Sequence, residues 1–141
     1  MERMLGKIKI YYILALIFVV VSNKGYCQIE DVDSIFSEGV NAMQNGTFDK
    51  AISCFENVLE DIGEKDGAVL TYLGVCYQMM GQLENAISCY EEALHDIDKN
   101  ESEHYISVLV TLGTCYQQID QTQKAAALYE QALSIPNDNP T

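Results

Sequence analysis

One 22-residue pattern occurs twice in this chain without a gap, at positions 73–94 and 112–133. A third copy at positions 38–59 shares nine residues with the middle copy. The glycines Gly39, Gly74 and Gly113 recur after 35 and then 39 residues, intervals that are typical of stacked supersecondary units. The later two copies are identical at eleven places: Leu73/Leu112, Gly74/Gly113, Cys76/Cys115, Tyr77/Tyr116, Gln78/Gln117, Gln82/Gln121, Ala86/Ala125, Tyr90/Tyr129, Glu91/Glu130, Ala93/Ala132 and Leu94/Leu133.

Each unit has the pattern of two helices separated by a short break. In the middle copy, Leu70, Leu73 and Tyr77 recur at helical spacing until Gly81 interrupts the pattern, and apolar residues then resume at i+3 and i+4 intervals. Because the break is short, the two helices must fold back on each other as a hairpin. The sequence predicts an all-α fold with helices over 33–45, 48–61, 67–80, 83–96, 103–118 and 122–134.

Glycine, alanine and aromatic residues keep fixed places in the pattern. A glycine inside a helix costs about 1 kcal/mol relative to alanine, so its recurrence indicates that two backbones approach closely there. An alanine twelve residues later, Ala86 in the middle copy, is predicted to be its small partner. The aromatic residue four positions further on, Tyr90 in that copy, is predicted to fill the space between successive hairpins.

This pattern resembles the tetratricopeptide repeat family. The resemblance covers about residues 32–135, in repeats at about 32–65, 67–100 and 106–137. It implies three tandem helix-turn-helix repeats that form a short right-handed α-solenoid with a concave groove. Departures from the family pattern include Asp120, which stands where repeat 3 should have its turn glycine. The matching residues are Leu73, Leu112, Gly46, Gly74, Gly81, Gly113, Tyr77, Tyr116, Ala51, Ala86, Ala125, Phe55, Tyr90, Tyr129, Ala93 and Ala132.

The first 27 residues have the pattern of a bacterial export signal. Three basic residues precede the apolar run Ile10–Val21, which is shorter than the roughly 20 residues that a membrane span needs. We expect a signal peptide over 1–27 that is cleaved after Cys27 and leaves a repeat domain over 28–141. The chain is therefore predicted to be periplasmic or extracellular. An uncleaved membrane anchor is the alternative.

The chain is strongly acidic, with 8 Lys and Arg residues against 21 Asp and Glu and a formal net charge of −13. Without residues 1–27 the formal charge becomes −16, because four of the basic residues and one acid lie in that segment. This charge repels phosphate backbones and anionic lipids, which excludes nucleic acid as a partner. Membrane contact is expected only through an uncleaved N-terminal segment.

Four cysteines follow the predicted signal, at equivalent places of different repeats. An even number of cysteines in an exported protein is compatible with two disulfides, for which the repeat favours Cys54–Cys76 with Cys89–Cys115. The alternative is that each is a small buried hydrophobic residue, which is a common role for cysteine. The spacing is not the CxxC arrangement of a zinc or redox site.

We find no pattern for catalysis or metal binding. The stretch 95–104 (HDIDKNESEH) imitates the start of a calcium loop, but Glu101 replaces the turn glycine and Ser107 replaces the bidentate glutamate. A solvated linker is therefore the better interpretation. Nucleophile motifs, phosphate loops and HExxH helices are all missing from the sequence. The chain is therefore predicted not to be an enzyme and to bind neither a cofactor nor a metal.

The resemblance implies that the first helix of each hairpin lines the groove. Relatives that bind a carboxylate tail need Lys, Arg and Asn in this groove, whereas the predicted groove residues of this chain are all uncharged. An apolar surface with a glutamine border instead predicts docking of a helix or an extended peptide. Coverage by the N-terminal segment or by a second copy is an equal alternative. The predicted groove residues are Phe36, Val40, Met43, Gln44, Thr71, Val75, Gln78, Met79, Val110, Thr114, Gln117 and Gln118.

Two function hypotheses follow. The first is an exported scaffold that holds a protein or peptide partner in the groove. The second is a sensory or regulatory part of a two-component-type signalling protein, since the longer interval before repeat 3 resembles that of bacterial sensor proteins. After Leu133 the sequence shows no polar capping helix, so apolar side chains of the final hairpin are predicted to be exposed and self-association is possible.

Overall fold

The computed structural model of the chain describes residues 31–98 and 102–136, and in those ranges it contains six α-helices and no strand. The predicted all-α fold is confirmed, and each predicted helix end lies within one residue of the observed end. The helices are α1 (Val32–Gln44), α2 (Phe48–Ile62), α3 (Gly67–Met79), α4 (Leu83–Asp96), α5 (Ser102–Gln118) and α6 (Thr122–Ser134).

The three hairpins close with the same turn, although only two of them have a glycine there. Gly46 and Gly81 have φ values of 75° and 74°, and Asp120 has a φ of 60°. The N–H of Gly81 donates to the carbonyl of Gln78 at 3.0 Å, and the N–H of Asp120 donates to that of Gln117 at 3.1 Å. Aspartate enters the left-handed region more readily than most residues, so Asp120 preserves the turn without glycine.

Two aspartates hold the start of α3. The Asp66 carboxylate accepts a hydrogen bond from the N–H of Val69 at 2.9 Å, and Asp96 Oδ2 accepts one from the N–H of Gly67 at 2.6 Å. Both contacts satisfy N–H groups that the helix itself leaves unpaired, and the negative charges suit this end of the helix dipole. Asp96 ends α4, as the predicted helix over 83–96 implied, and its carboxylate links α4 to α3 within repeat 2.

The core lies along the stack of hairpins. The extensive contacts all join helices that are consecutive in the sequence, as expected of a solenoid. One cluster is built around Phe55 and Leu73, and the next around Tyr90, Leu109 and Leu112. Phe55, Tyr90 and Leu109 are fully buried. Repeats 1 and 2 therefore each complete their core with the first helix of the repeat that follows.

The close approach predicted at the recurring glycine is present, and the side chain that comes nearest to it is an aromatic ring. A Cβ on Gly74 would lie 2.6 Å from a ring carbon of Tyr90, and one on Gly113 would lie 2.6 Å from Tyr129. The nearest atoms thus belong to the aromatic ring of the same hairpin and not to the alanine. Ala86 is fully buried, so a small side chain is still required at its position.

The aromatic residue of repeat 1 also fills the space between two hairpins, as predicted. The rings of Phe55 and Tyr72, which belong to successive repeats, stack with their centroids 5.5 Å apart. Phe36 packs against both, at 5.6 Å from Phe55 and 5.4 Å from Tyr72. Such aromatic pairs stabilise a fold by about 0.5–1.5 kcal/mol beyond their buried area. This group of three rings joins the first two repeats.

Candidate functional site

The twelve predicted groove residues all lie on α1, α3 and α5, and none of them is buried. Seven are half-buried and five are exposed, including Met79 at 63% and Val110 at 43% exposure. Within each helix they are three or four residues apart or adjacent, so they lie on one side of the helix. The predicted residues therefore form one side of each first helix that is not buried, and their role in binding stays a prediction.

Repeat 1 presents an apolar end of this surface. Phe36 is fixed between the rings of Phe55 and Tyr72, while Val40 and Met43 pack on the same core cluster. Because the core already restricts these side chains, binding a ligand there would cost little additional side-chain entropy.

Repeats 2 and 3 present oriented amide groups. The Tyr90 hydroxyl donates to Gln78 Oε1 at 3.0 Å, and the Tyr129 hydroxyl donates to Gln117 Oε1 at 3.3 Å. An amide whose oxygen is engaged keeps two N–H donors for another acceptor. The two glutamines are thus positioned to donate to the carbonyl oxygens of a bound peptide.

The glutamine and tyrosine are replaced together in repeat 1. Met43 stands at the place of Gln78, and Phe55 stands at the place of Tyr90. The donor and the acceptor have both been exchanged for apolar groups, which leaves no buried polar atom unpaired. The candidate surface consequently changes from apolar on α1 to amide-bearing on α3 and α5.

Threonine hydroxyls on this surface are largely satisfied by their own helices. Thr71 donates to the carbonyl of Gly67 at 2.7 Å, and Thr114 donates to that of Val110 at 3.0 Å. Thr71 Oγ1 also lies 3.4 Å from His104 Nε2 at the start of α5. This last contact brings the groove sides of repeats 2 and 3 together.

A second recurring interaction, which the sequence reasoning missed, joins successive repeats. The hydroxyl of Tyr77 donates to Glu56 at 3.2 Å, and the hydroxyl of Tyr116 donates to Glu91 in the same way one repeat later. Hydrogen bonds to charged groups are stronger than neutral ones, so these bonds help to fix the repeat spacing. The signal that could have revealed them is the recurrence of the glutamate one position after the aromatic residue.

Two apolar clefts lie largely outside the predicted groove residues, of which only Val110 lines one of them. One has a volume of about 460 Å³ and lies beside Leu94, Tyr116 and Leu128. The other has a volume of about 620 Å³ and opens between α5 and α6. Leu133 is 86% exposed beside it, which confirms the predicted exposure of apolar side chains in the final hairpin. The residues that line this second cleft are Ile106, Val110, Tyr129, Ala132, Leu133, Ile135 and Pro136.

The four described cysteines are not joined by disulfides in the structure, and three of them are buried. Burial raises the pKa of the Cys89 thiol to about 11 and also raises the pKa of Cys76 and Cys115. The thiolate is the reactive form, so these side chains are poor nucleophiles at neutral pH. The pairing Cys54–Cys76 with Cys89–Cys115 stays a prediction.

The acidic stretch at 95–104 lies partly within the two ranges that the structure describes, 31–98 and 102–136. They contain no group of three or more His, Cys, Asp or Glu side chains suited to a metal ion. Glu101, within the predicted linker, lies outside the described residues. None of the described helices is long and apolar enough to cross a membrane, and the predicted signal over 1–27 also lies outside the described residues.

The model of the tetratricopeptide repeat family matches residues 65–138. The chain belongs to the tetratricopeptide repeat family. This confirms the resemblance that the Leu-Gly, Tyr, Ala and aromatic positions indicated. The match includes repeats 2 and 3, and the structure adds a first hairpin with the same turn upstream of it. Members of this family are interaction scaffolds, so a protein-binding role follows at this general level.

One solved structure matches the fold of this chain over most of its length. The crystal structure of MamA superposes with a TM-score of 0.65 and 20% identity, over 82% of this chain and 62% of that chain. A structure of MamA residues 41 to the end, from Desulfovibrio magneticus RS-1, matches with a TM-score of 0.47 and 16% identity, over 81% of this chain and 80% of that chain. No curated protein matches the sequence. At this identity the likeness to MamA shows the fold alone.

Proposed function

We propose that this tetratricopeptide repeat chain is a non-catalytic exported scaffold that binds a peptide segment of a partner protein along α1, α3 and α5. The observation that carries the proposal is the pair of oriented amides, Gln78 and Gln117, beside an apolar end at Phe36. Amide donors at repeated spacing suit a regular peptide backbone, and the apolar end suits a hydrophobic anchor residue.

The charge of the chain further restricts the kind of peptide that it can bind. The twelve groove residues are uncharged, while the chain as a whole has a formal net charge of −13. An acidic peptide would be repelled during approach, whereas a neutral or basic peptide with one or two large apolar residues would be attracted or tolerated. The preferred ligand is therefore an apolar peptide without clustered acids.

Capture of partners from an envelope extract tests the groove. We expect the wild-type chain to retain a protein that the Met79→Glu variant loses, because the new carboxylate stands on the exposed groove side of α3. Ser88→Glu is the matched control, since it adds the same charge at an exposed position of α4 that belongs neither to the groove set nor to a cleft. Equal capture by the Met79→Glu variant would refute the groove as the binding surface. A captured histidine kinase or response regulator would favour the signalling hypothesis.

We also propose that the chain acts outside the cytoplasm. The support is the basic start and the short apolar run Ile10–Val21. Intact-mass measurement of the protein from separated cell fractions tests this proposal. We expect a mature form that begins at Gln28 in the periplasm or medium, and a full-length form in the membrane fraction would indicate the uncleaved anchor. Full-length protein confined to the cytoplasm would refute export.

A further inference from the structure

Equivalent positions of the three second helices differ sharply in exposure. Phe55 and Tyr90 are fully buried, whereas Tyr129 at the same place in α6 is half-buried. Leu94 is half-buried and packs on the second core cluster, whereas Leu133 at the same place is 86% exposed. The repeats supply an internal reference, since α3 covers α2 and α5 covers α4. The same face of α6 carries the same apolar residues without such a cover among the described residues.

The covering helices reveal what this face accepts. Both α3 and α5 place buried apolar side chains at positions i, i+4 and i+7 against the preceding hairpin. Together these side chains remove the aromatic residue of the preceding second helix from water, at a gain of about 25 cal/mol per Å² of apolar area. The members of the pattern are Val69, Leu73 and Cys76 in α3, and Val108, Leu112 and Cys115 in α5.

A hydrogen bond accompanies each of these covers. The residue at i+8 is Tyr77 in α3 and Tyr116 in α5, and each hydroxyl donates to the glutamate of the preceding second helix. Glu130 stands at the third such place, on α6, and within residues 31–98 and 102–136 it has no corresponding tyrosine. The uncovered face of α6 thus combines an apolar cleft with a glutamate acceptor, at the position where α2 and α4 each accept a hydrogen bond from a tyrosine of the next helix.

We propose that the cleft between α5 and α6 docks an amphipathic helix of a partner protein, at a site that shares only Val110 with the predicted groove residues. That helix carries apolar side chains at i, i+4 and i+7 and a hydrogen-bond donor, best a tyrosine, at i+8. Its apolar side chains fill the cleft beside Tyr129 and Leu133, and its donor binds Glu130. The geometry repeats the contacts that α3 makes with α2 and that α5 makes with α4.

Among the described helices, a second copy of the chain does not offer this helix. In α1 the places i, i+4 and i+7 hold Ser34, Glu38 and Asn41, all of which are exposed, and Glu38 pairs with Lys50 at 2.7 Å. The patterned faces of α3 and α5 are already buried inside the molecule. Stacking of α1 on the α6 of another copy would therefore place polar and charged groups in an apolar cleft, which is costly.

A synthetic peptide that copies residues 102–121 of this chain is the probe, because it has the required pattern. Fluorescence anisotropy measures its binding to the full chain. We expect saturable one-to-one binding that Leu133→Glu weakens at least about tenfold, while Met79→Glu leaves it unchanged. Both side chains are exposed, at 86% and 63%, so neither substitution disturbs the core, and circular dichroism checks this.

The hydrogen bond is tested by a double-mutant cycle. A peptide with Tyr116→Phe should bind about five- to tenfold more weakly to the wild-type chain, because it loses a bond to a charged group. The same peptide should lose much less against a Glu130→Ala variant, in which the acceptor is already gone. Equal losses against both proteins would show that Glu130 does not receive the donor and would overturn that contact.

Two other results would overturn the docking proposal. Peptide binding that is insensitive to Leu133→Glu but lost with Met79→Glu would place the helix in the groove, and would support the groove while refuting the cleft. A dimer in sedimentation velocity that Leu133→Glu dissociates, without peptide binding by the wild type, would assign the cleft to a second copy. Capture of a partner that Met79→Glu does not affect would instead refute the groove without touching this site.

Discussion

At the scale of single residues, Gly74 has no room for a side chain because the ring of Tyr90 lies against its backbone. Alanine there gains about 1 kcal/mol of helix propensity but forces its Cβ to within 2.6 Å of a ring that is fully buried. Since overpacking typically costs about 1–3 kcal/mol and the gain in helix propensity offsets about 1 kcal/mol of that cost, we expect Gly74→Ala to lower the free energy of unfolding by up to about 2 kcal/mol. Urea unfolding followed by circular dichroism measures the change.

Gly113→Ala is the matched control for that substitution. Its Cβ would meet Tyr129 at the same 2.6 Å, but this ring is only half-buried and borders the cleft beside α6. The ring can shift outwards, so we expect a smaller loss of stability than at Gly74. A loss at Gly113 equal to or larger than the loss at Gly74 would contradict the role given to the burial of Tyr90.

The cysteines give a second prediction at this scale. Burial raises the pKa of Cys89 to about 11 and also raises the pKa of Cys76 and Cys115, so little thiolate forms at neutral pH. We expect these thiols to react with a disulfide reagent at least about tenfold more slowly in the folded chain than in denaturant. Denatured protein without reductant should release four thiols, besides Cys27 if it is retained. No reactive thiol among the four after denaturation would establish the two disulfides instead.

At the scale of helices and their contacts, the bond between Tyr116 and Glu91 links two repeats and makes their contact dependent on pH. Burial first, and then the hydrogen bond to Glu91, raise the pKa of Tyr116 from its ordinary 10.0 to about 12. Between these values the unfolded chain has lost the proton that the folded chain retains. The stability contributed by Tyr116 is therefore complete below about pH 10 and is lost as the pH rises towards about 12.

The measurement is the free energy of urea unfolding at a series of pH values from neutral to about 12. We expect the wild-type stability to fall across the upper part of this range and the Tyr116→Phe variant to fall less steeply. Absorbance of tyrosinate separates ionisation in the folded state from unfolding. An identical slope for the variant would show that Tyr116 ionises freely in the folded chain.

The same scale shows what the sequence could and could not predict. Helix ends were predictable to within one residue because the apolar period and the turn glycines mark them, and Asp120 closed its turn without glycine. The contact of Gly74 with the Tyr90 ring was not predicted, because the repeat interval identifies equivalent positions but not the direction of that ring. The groove residues followed from the family pattern, whereas the cleft beside Leu133 depends on which neighbouring helix is present and therefore required coordinates.

At the scale of the whole molecule, the extensive contacts of each helix are limited to the helices next to it in the chain, so stability need not be uniform along the stack. The helix α6 buries only Ala125 and Ala132, while α4 buries Ile87 and Tyr90 in addition to two alanines. Because less apolar area holds α6 in place, it should open without the rest of the molecule. We expect backbone amides of α6 to exchange hydrogen about tenfold faster or more than those of α3 and α4.

Hydrogen exchange followed by mass spectrometry tests this order, and α1 provides the internal control. The helix α1 is the first described helix, as α6 is the last, but it buries Ile35 in the core. Its outward side has the polar residues Ser34 and Asn41, so water does not contact a large apolar face there. We therefore expect protection to fall from the middle repeat towards α6 more steeply than towards α1. The helical peptide should slow exchange in α6 selectively, since its binding free energy must be lost before that helix opens. Uniform exchange along all six described helices would mean that the stack unfolds as one unit, and the open face of α6 would then have no separate energetic consequence.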